Sequence, residues 1–95
     1  MIRMKKVFEI KGAVNETFNP YKEIRALCGR EERETNIPDP YGAVSLREWG
    51  NGIIVKRVAK YSHLKAAYVL EDTVAIPERK EFFDLIKKLE ASKTD

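Results

Sequence analysis

The chain reads as an α+β protein: one small domain with a mostly antiparallel sheet of four to five strands and a C-terminal amphipathic helix on one face. Three observations predict it. An Asn-Gly pair, Asn51-Gly52, separates two runs rich in β-branched and aromatic residues, which is the strongest short-range signal for a β-hairpin. Phe82, Phe83, Leu85, Ile86 and Leu89 recur at three- and four-residue steps, the period of a helix with one apolar stripe. The whole chain has 95 residues, enough for one sheet and one or two covering helices but not for a second core.

The elements follow in order. Lys5 to Val14 alternates like a strand, with Phe8, Ile10 and Gly12 toward a core. Asn15 to Pro20 is turn chemistry. Tyr21 to Cys28 reads as a short helix, because Asn19 can cap it, Pro20 suits its first position and Gly29 its stop. A strand containing Tyr21, Ile24, Ala26 and Cys28 is the competing reading. Residues 29–41 carry Pro38 and Pro40, show no period, and read as a long polar loop that orders on binding.

The hairpin 43–61 follows, with Asn51-Gly52 as a two-residue type I′ turn. Its pattern puts Val44, Leu46, Ile53, Val55 and Ala59 toward the core. Ser45, Arg47, Trp49, Ile54, Lys56, Val58 and Lys60 fall on the opposite face, a mixture of apolar and cationic groups. Tyr61 to Lys65 connects to a strand at Ala66–Leu70, which continues through Thr73–Ile76 after a break at Glu71-Asp72. Pro77 opens the final helix, with acids near its start and Lys87 and Lys88 near its end, both favourable to the helix dipole. Residues 92–95 read as a frayed tail.

Charge is segregated. The net value of +3 is mild, but Leu46 to Lys65 holds five basic residues (Arg47, Lys56, Arg57, Lys60, Lys65) against Glu48, a local +4. Gly29 to Asp39 is acidic in balance, with Arg30 and Arg33 against Glu31, Glu32, Glu34 and Asp39. The absence of glutamine beside many Glu, Lys and Arg is a bias of heat-adapted, thermophile proteins. No apolar run reaches the ~18 residues of a membrane span, and the basic N-terminus lacks a signal-peptide core. A cytoplasmic location and no membrane partner are the expectation.

Catalytic constellations do not assemble in the sequence. Cys28 is the only cysteine, so no intrachain disulfide or multi-cysteine metal cluster can form. His63 is the only histidine, in a polar connector whose neighbour Ser62 would point away from it. Asp39-Pro40-Tyr41-Gly42 is similar to the acid loop of low-molecular-weight tyrosine phosphatases. The sixth residue after Cys28 is Glu34, where their anion-wrapping loop needs arginine. Gly50-Asn51-Gly52 is followed by no helix that could receive a phosphate. Lys6 to Gly12 and Lys22 to Leu27 are similar to the opening of the archaeal ribosomal protein LX, a resemblance that implies an RNA partner and ends at Leu27.

The expectation is therefore a non-enzymatic binding module without cofactor or metal, a small subunit or accessory protein of a ribonucleoprotein or multi-subunit complex. Its partner-binding residues would be Arg47, Trp49, Lys56, Arg57 and Lys60, with RNA or a protein complex as partner. One alternative is a small enzyme or ligand-binding protein using the 29–41 loop as lid and Glu48 or Asp39 as acid–base group. Another is a homodimer that buries the mixed face across a two-fold axis.

Overall fold

The computed structural model of the chain describes residues 7–39 and 42–92. They form five strands and two α-helices: β1 (Val7–Ala13), α1 (Pro20–Cys28), β2 (Arg33–Asp39), β3 (Gly42–Glu48), β4 (Ile54–Ser62), β5 (Ala67–Pro77) and α2 (Phe83–Ser92). A 3₁₀ turn at Lys80–Phe82 leads into α2. The strands make one antiparallel sheet in the order β1-β5-β4-β3-β2, as the α+β reading expects. β1 and β2 are its two edges, and α1 carries the chain from one edge to the other.

Both helices lie on the same side. α1 buries Pro20, Tyr21 and Ile24, and α2 buries Leu85, Ile86 and Leu89. They close over Ile10, Ile53, Val55, Val74 and Ile76 from the sheet, with Phe18, Trp49 and Phe82 completing the core. α1 forms where its start and stop signals coincide. Pro20 occupies the first turn, and Gly29, at φ +80°, ends the helix with its N–H on the Arg25 carbonyl at 2.9 Å. The helix stripe differs from expectation in one residue: Phe82 is buried, while Phe83 is 41% exposed. Pro77 does not open the helix either; it is the last residue of β5, opposite Val7.

Within the expected loop 29–41, residues Arg33–Asp39 form strand β2. Arg33–Asp39 pairs along the whole of β3, from Arg33 opposite Glu48 to Asp39 opposite Gly42. The segment hides its strand character because it is an edge: its described side chains are exposed, polar residues dominate, and Pro38 is tolerated where no further strand needs its missing N–H. β5 likewise runs unbroken through Glu71-Asp72, because Asp72 is neutralised there by Arg57 on the neighbouring strand.

The hairpin is present but its turn is longer by one residue than the Asn-Gly reading requires. Trp49 donates its N–H to the Ile53 carbonyl at 2.9 Å, and Gly52 donates to the Trp49 carbonyl at 3.0 Å. Gly52 alone takes a positive φ, +96°, and Asn51 does not. This is the three-residue connection with a left-handed glycine rather than the type I′ turn. One residue of register turns a strand over. Arg47 therefore pairs with Val55, Ser45 with Arg57 and Leu46 with Lys56. Val44 and Leu46, expected in the core, lie on the side away from the helices, while Arg47 and Trp49 turn toward them.

Candidate functional site

The register divides the five expected binding residues between two faces. Trp49, Arg47 and Arg57 are on the helix side; Lys56 and Lys60 are on the other. The two groups do different physical work.

Trp49 is 4% exposed and donates its indole N–H to the Gly29 carbonyl at 2.8 Å. It is a core residue that ties the hairpin turn to the end of α1, and offers no open ring to a base. Arg57 donates Nε to Asp72 Oδ1 at 2.7 Å and Nη2 to Oδ2 at 2.9 Å. Its guanidinium also lies 3.7 Å from the centre of the Tyr21 ring, with that of Arg47 4.4 Å from the same ring. The tyrosine hydroxyl lies 3.3 Å from Ser45 Oγ. α1 thus presses one aromatic ring onto two cations that the sheet raises toward it, an arrangement favoured by the ring's quadrupole in a partly dry setting.

Acids complete this layer. Glu31 accepts from Arg25 at 3.0 and 2.7 Å and from Arg47 at 2.5 Å, and Glu34 lies 3.4 Å from Arg47. The hydrogen bonds from Arg25 outweigh burial and, with a backbone N–H and the nearby positive charges, hold the Glu31 carboxyl down at about 2. The same bonds raise Arg25. At Arg57 burial works against the charge, but the bonds and charge of Asp72 prevail and its pKa is raised. Arg47 and Arg57 are consequently spent inside the molecule, which explains why an apolar-looking hairpin carries them.

The opposite face is open: among the described residues no helix covers it. Its rows can be read from the strand register. Ile37, Val44 and Val58 lie side by side across β2, β3 and β4, followed by Glu71 of β5 and Ala13 of β1. The next row runs Thr35, Leu46, Lys56, Thr73 and Lys11, and the third runs Arg33, Glu48, Ile54, Ala75 and Glu9. Ile37 is 48% and Ile54 37% exposed, while Val44, Leu46 and Val58 are half-buried by their neighbours. Lys11 pairs with Glu71 at 3.3 Å and Arg33 approaches Glu48 at 3.9 Å. Lys56 and Lys60 make no ion pair among the described residues and are exposed. The result is an apolar field about Lys56, near the middle of the sheet, with Lys60 further along the same strand.

The acid–base alternative gains no geometry. Glu48 faces Arg33 at the β2 edge. The Asp39 side chain lies outside the described residues, as do Pro40 and Tyr41. Cys28 accepts from Asn51 Nδ2 at 2.9 Å in a cleft of about 510 Å³ shared with Trp49, Arg79 and Phe82, far along the chain from His63. Among the described residues no three His, Cys, Asp or Glu side chains converge as a metal site.

Sequence reasoning gave little weight to the tip of the β4–β5 hairpin. There Tyr61 meets His63 at 5.2 Å and Tyr68 at 5.3 Å, both edge to face. It also missed Tyr21, the ring beneath the arginines. The signal for the tip was available: from Lys56 to Leu70 the sequence has no acidic residue.

Comparison with protein families, with characterised proteins and with solved structures finds no match to this chain. The likeness of its opening to ribosomal protein LX therefore assigns no family. No helix among the described residues is long and apolar enough to cross a membrane.

Proposed function

We propose that the chain is a non-enzymatic docking module, a small subunit or accessory protein of a larger assembly, and that its open sheet face receives an acidic amphipathic helix of a partner protein. One observation carries this reading: a five-stranded sheet with one face closed by both helices presents Ile37, Val44, Leu46, Ile54 and Val58 on the other, around Lys56. Scattered surface apolar residues need no explanation, whereas a continuous apolar field with a lysine inside it does.

Charge selects the occupant. Lys56 and Lys60 are four residues apart on one strand, about 13 Å at the usual strand rise. Carboxylates about two turns apart on a helix laid along β4 span a similar distance, with apolar side chains between them seated on Val58 and its neighbours. A second copy of the chain fits less well. A two-fold axis through the centre of this face would set Lys56 against itself, like charge on like charge in a drying interface. The exclusion of Arg47, Arg57 and Trp49 from the face also weakens the cationic ribbon as a nucleic-acid groove.

The test is site-directed photo-crosslinking in the source cells. A photoreactive residue at Val44 should yield one discrete adduct whose crosslinked peptide is acidic and amphipathic, and the same group at Lys87 on α2 should not. An adduct formed equally at both positions, a crosslink to a second copy of the chain, or a basic crosslinked peptide overturns the reading.

A further inference from the structure

The end of the β4–β5 hairpin lies beyond the helical layer. Tyr61 and Tyr68 are on the helix-side face of the sheet, yet 46% and 64% exposed, and Leu64 in the turn is fully exposed. Their rings do not serve the core. They meet each other edge to face at 5.3 Å, and His63 stands nearly perpendicular to Tyr61 at 5.2 Å. Lys65 in the turn stands beside the group, exposed and without an ion pair among the described residues, while Lys60 belongs to the opposite face. The one acid near the base of the arm that bonds a hairpin cation, Asp72, is occupied by Arg57.

From these observations we infer that the tip of the β4–β5 hairpin is a second binding site, separate from the open face, whose ligand is single-stranded nucleic acid. Exposed rings offer π-faces on which successive bases stack, a mode indifferent to base identity because every base has such a face. Lys65 supplies a phosphate contact, and the lack of any acid from Lys56 to Leu70 leaves the arm without local repulsion toward a polyanion. A duplex keeps its bases stacked on one another and cannot give them to the rings. The arm therefore selects an unpaired strand.

The experiment is fluorescence anisotropy with the full chain and a dye-labelled, mixed-sequence RNA oligonucleotide. The same sequence as a duplex and vesicles containing phosphatidylserine are titrated in parallel. The single strand should bind more tightly than the duplex, with a log–log salt slope of about −0.7 for one phosphate contact. Tyr61→Ala and Tyr68→Ala should each weaken it about 5- to 150-fold, the loss of one stacked base. Tyr61→Phe and Tyr68→Phe should retain binding, since the ring and not the hydroxyl is used. Lys65→Gln should flatten the salt slope. These side chains are exposed, so unchanged Trp49 emission shows that each variant is folded. Equal affinity for duplex and single strand, insensitivity to loss of either ring, or binding to vesicles but not RNA overturns the inference. So does the absence of RNA binding at low salt. Failure of the open-face crosslink leaves this result untouched, because Tyr61, Lys65 and Tyr68 are not on that face.

Discussion

Arg57 and Asp72 stand directly opposite each other on β4 and β5, and the arginine holds both carboxylate oxygens, at 2.7 and 2.9 Å. Asp72 is wholly buried, in the middle of a strand that its charge would otherwise interrupt. A charge so placed is tolerable only while paired. Asp72→Ala leaves the Arg57 guanidinium unpaired beneath α1 and should cost about 3–5 kcal/mol. Urea unfolding measures it. The double variant Arg57→Met, Asp72→Leu should recover most of that loss, because it removes both desolvated charges at once. A double variant as unstable as Asp72→Ala would mean that the pair does more than neutralise itself.

Glu31 gives the fold an acid-sensitive joint. Its pKa falls from an ordinary 4.5 to about 2 in the folded protein, chiefly through Arg25. A carboxyl depressed on folding stabilises the protein above its unfolded pKa, and that contribution disappears as pH falls through the folded value. Stability should therefore decline between about pH 4.5 and about 2. In Glu31→Gln the decline over this range should be shallower. Denaturation at a series of pH values compares the two slopes, and identical slopes would remove Glu31 from the account.

The two sides of α2 should respond differently to truncation. Ile86→Ala and Leu89→Ala open cavities under the helix and should each cost about 2–5 kcal/mol. Phe83→Ala, on the exposed side, should cost less than about 1 kcal/mol. Thermal unfolding of the three variants orders them, and an equal cost at Phe83 would place the apolar stripe elsewhere.

Trp49 reports directly on the hairpin register. Buried and bonded to Gly29, it should emit at short wavelength and resist quenching by iodide. Trp49→Ala should cost about 3–5 kcal/mol. Emission typical of exposed indole would return Trp49 to the outer face, and with it the two-residue turn.

Much of this architecture is legible in the sequence. The 3.6-residue period of α2, the coincident punctuation around α1 and the Asn-Gly hairpin each reflect local physics that tertiary contacts reinforce. Three things were not legible. β2 is a polar edge strand, and an edge that must avoid pairing with other chains looks like a loop. The β3 arm of the hairpin faces the other way from its reading, while β4 keeps Ile53 and Val55 in the core, because the turn signal fixes that a hairpin forms but not whether two or three residues close it, and one residue reverses a strand. The fate of Arg47 and Arg57 depended on Tyr21 and Asp72, partners distant in sequence. Of the expected binding residues Lys56 and Lys60 remain on an open surface, and the tip rings Tyr61 and Tyr68 join the candidates by exposure alone.

Lysine footprinting tests the central claim most directly. The protein is acetylated with an amine-reactive reagent twice, once purified and once within the native assembly in extract of the source cells, and each lysine is quantified by mass spectrometry. Lys56 and Lys60 should react freely in the purified protein and be protected in the assembly, while Lys22 on α1 and Lys87 on α2 react alike in both. Unchanged reactivity of Lys56 and Lys60, or protection confined to Lys22 and Lys87, would contradict docking through the open face.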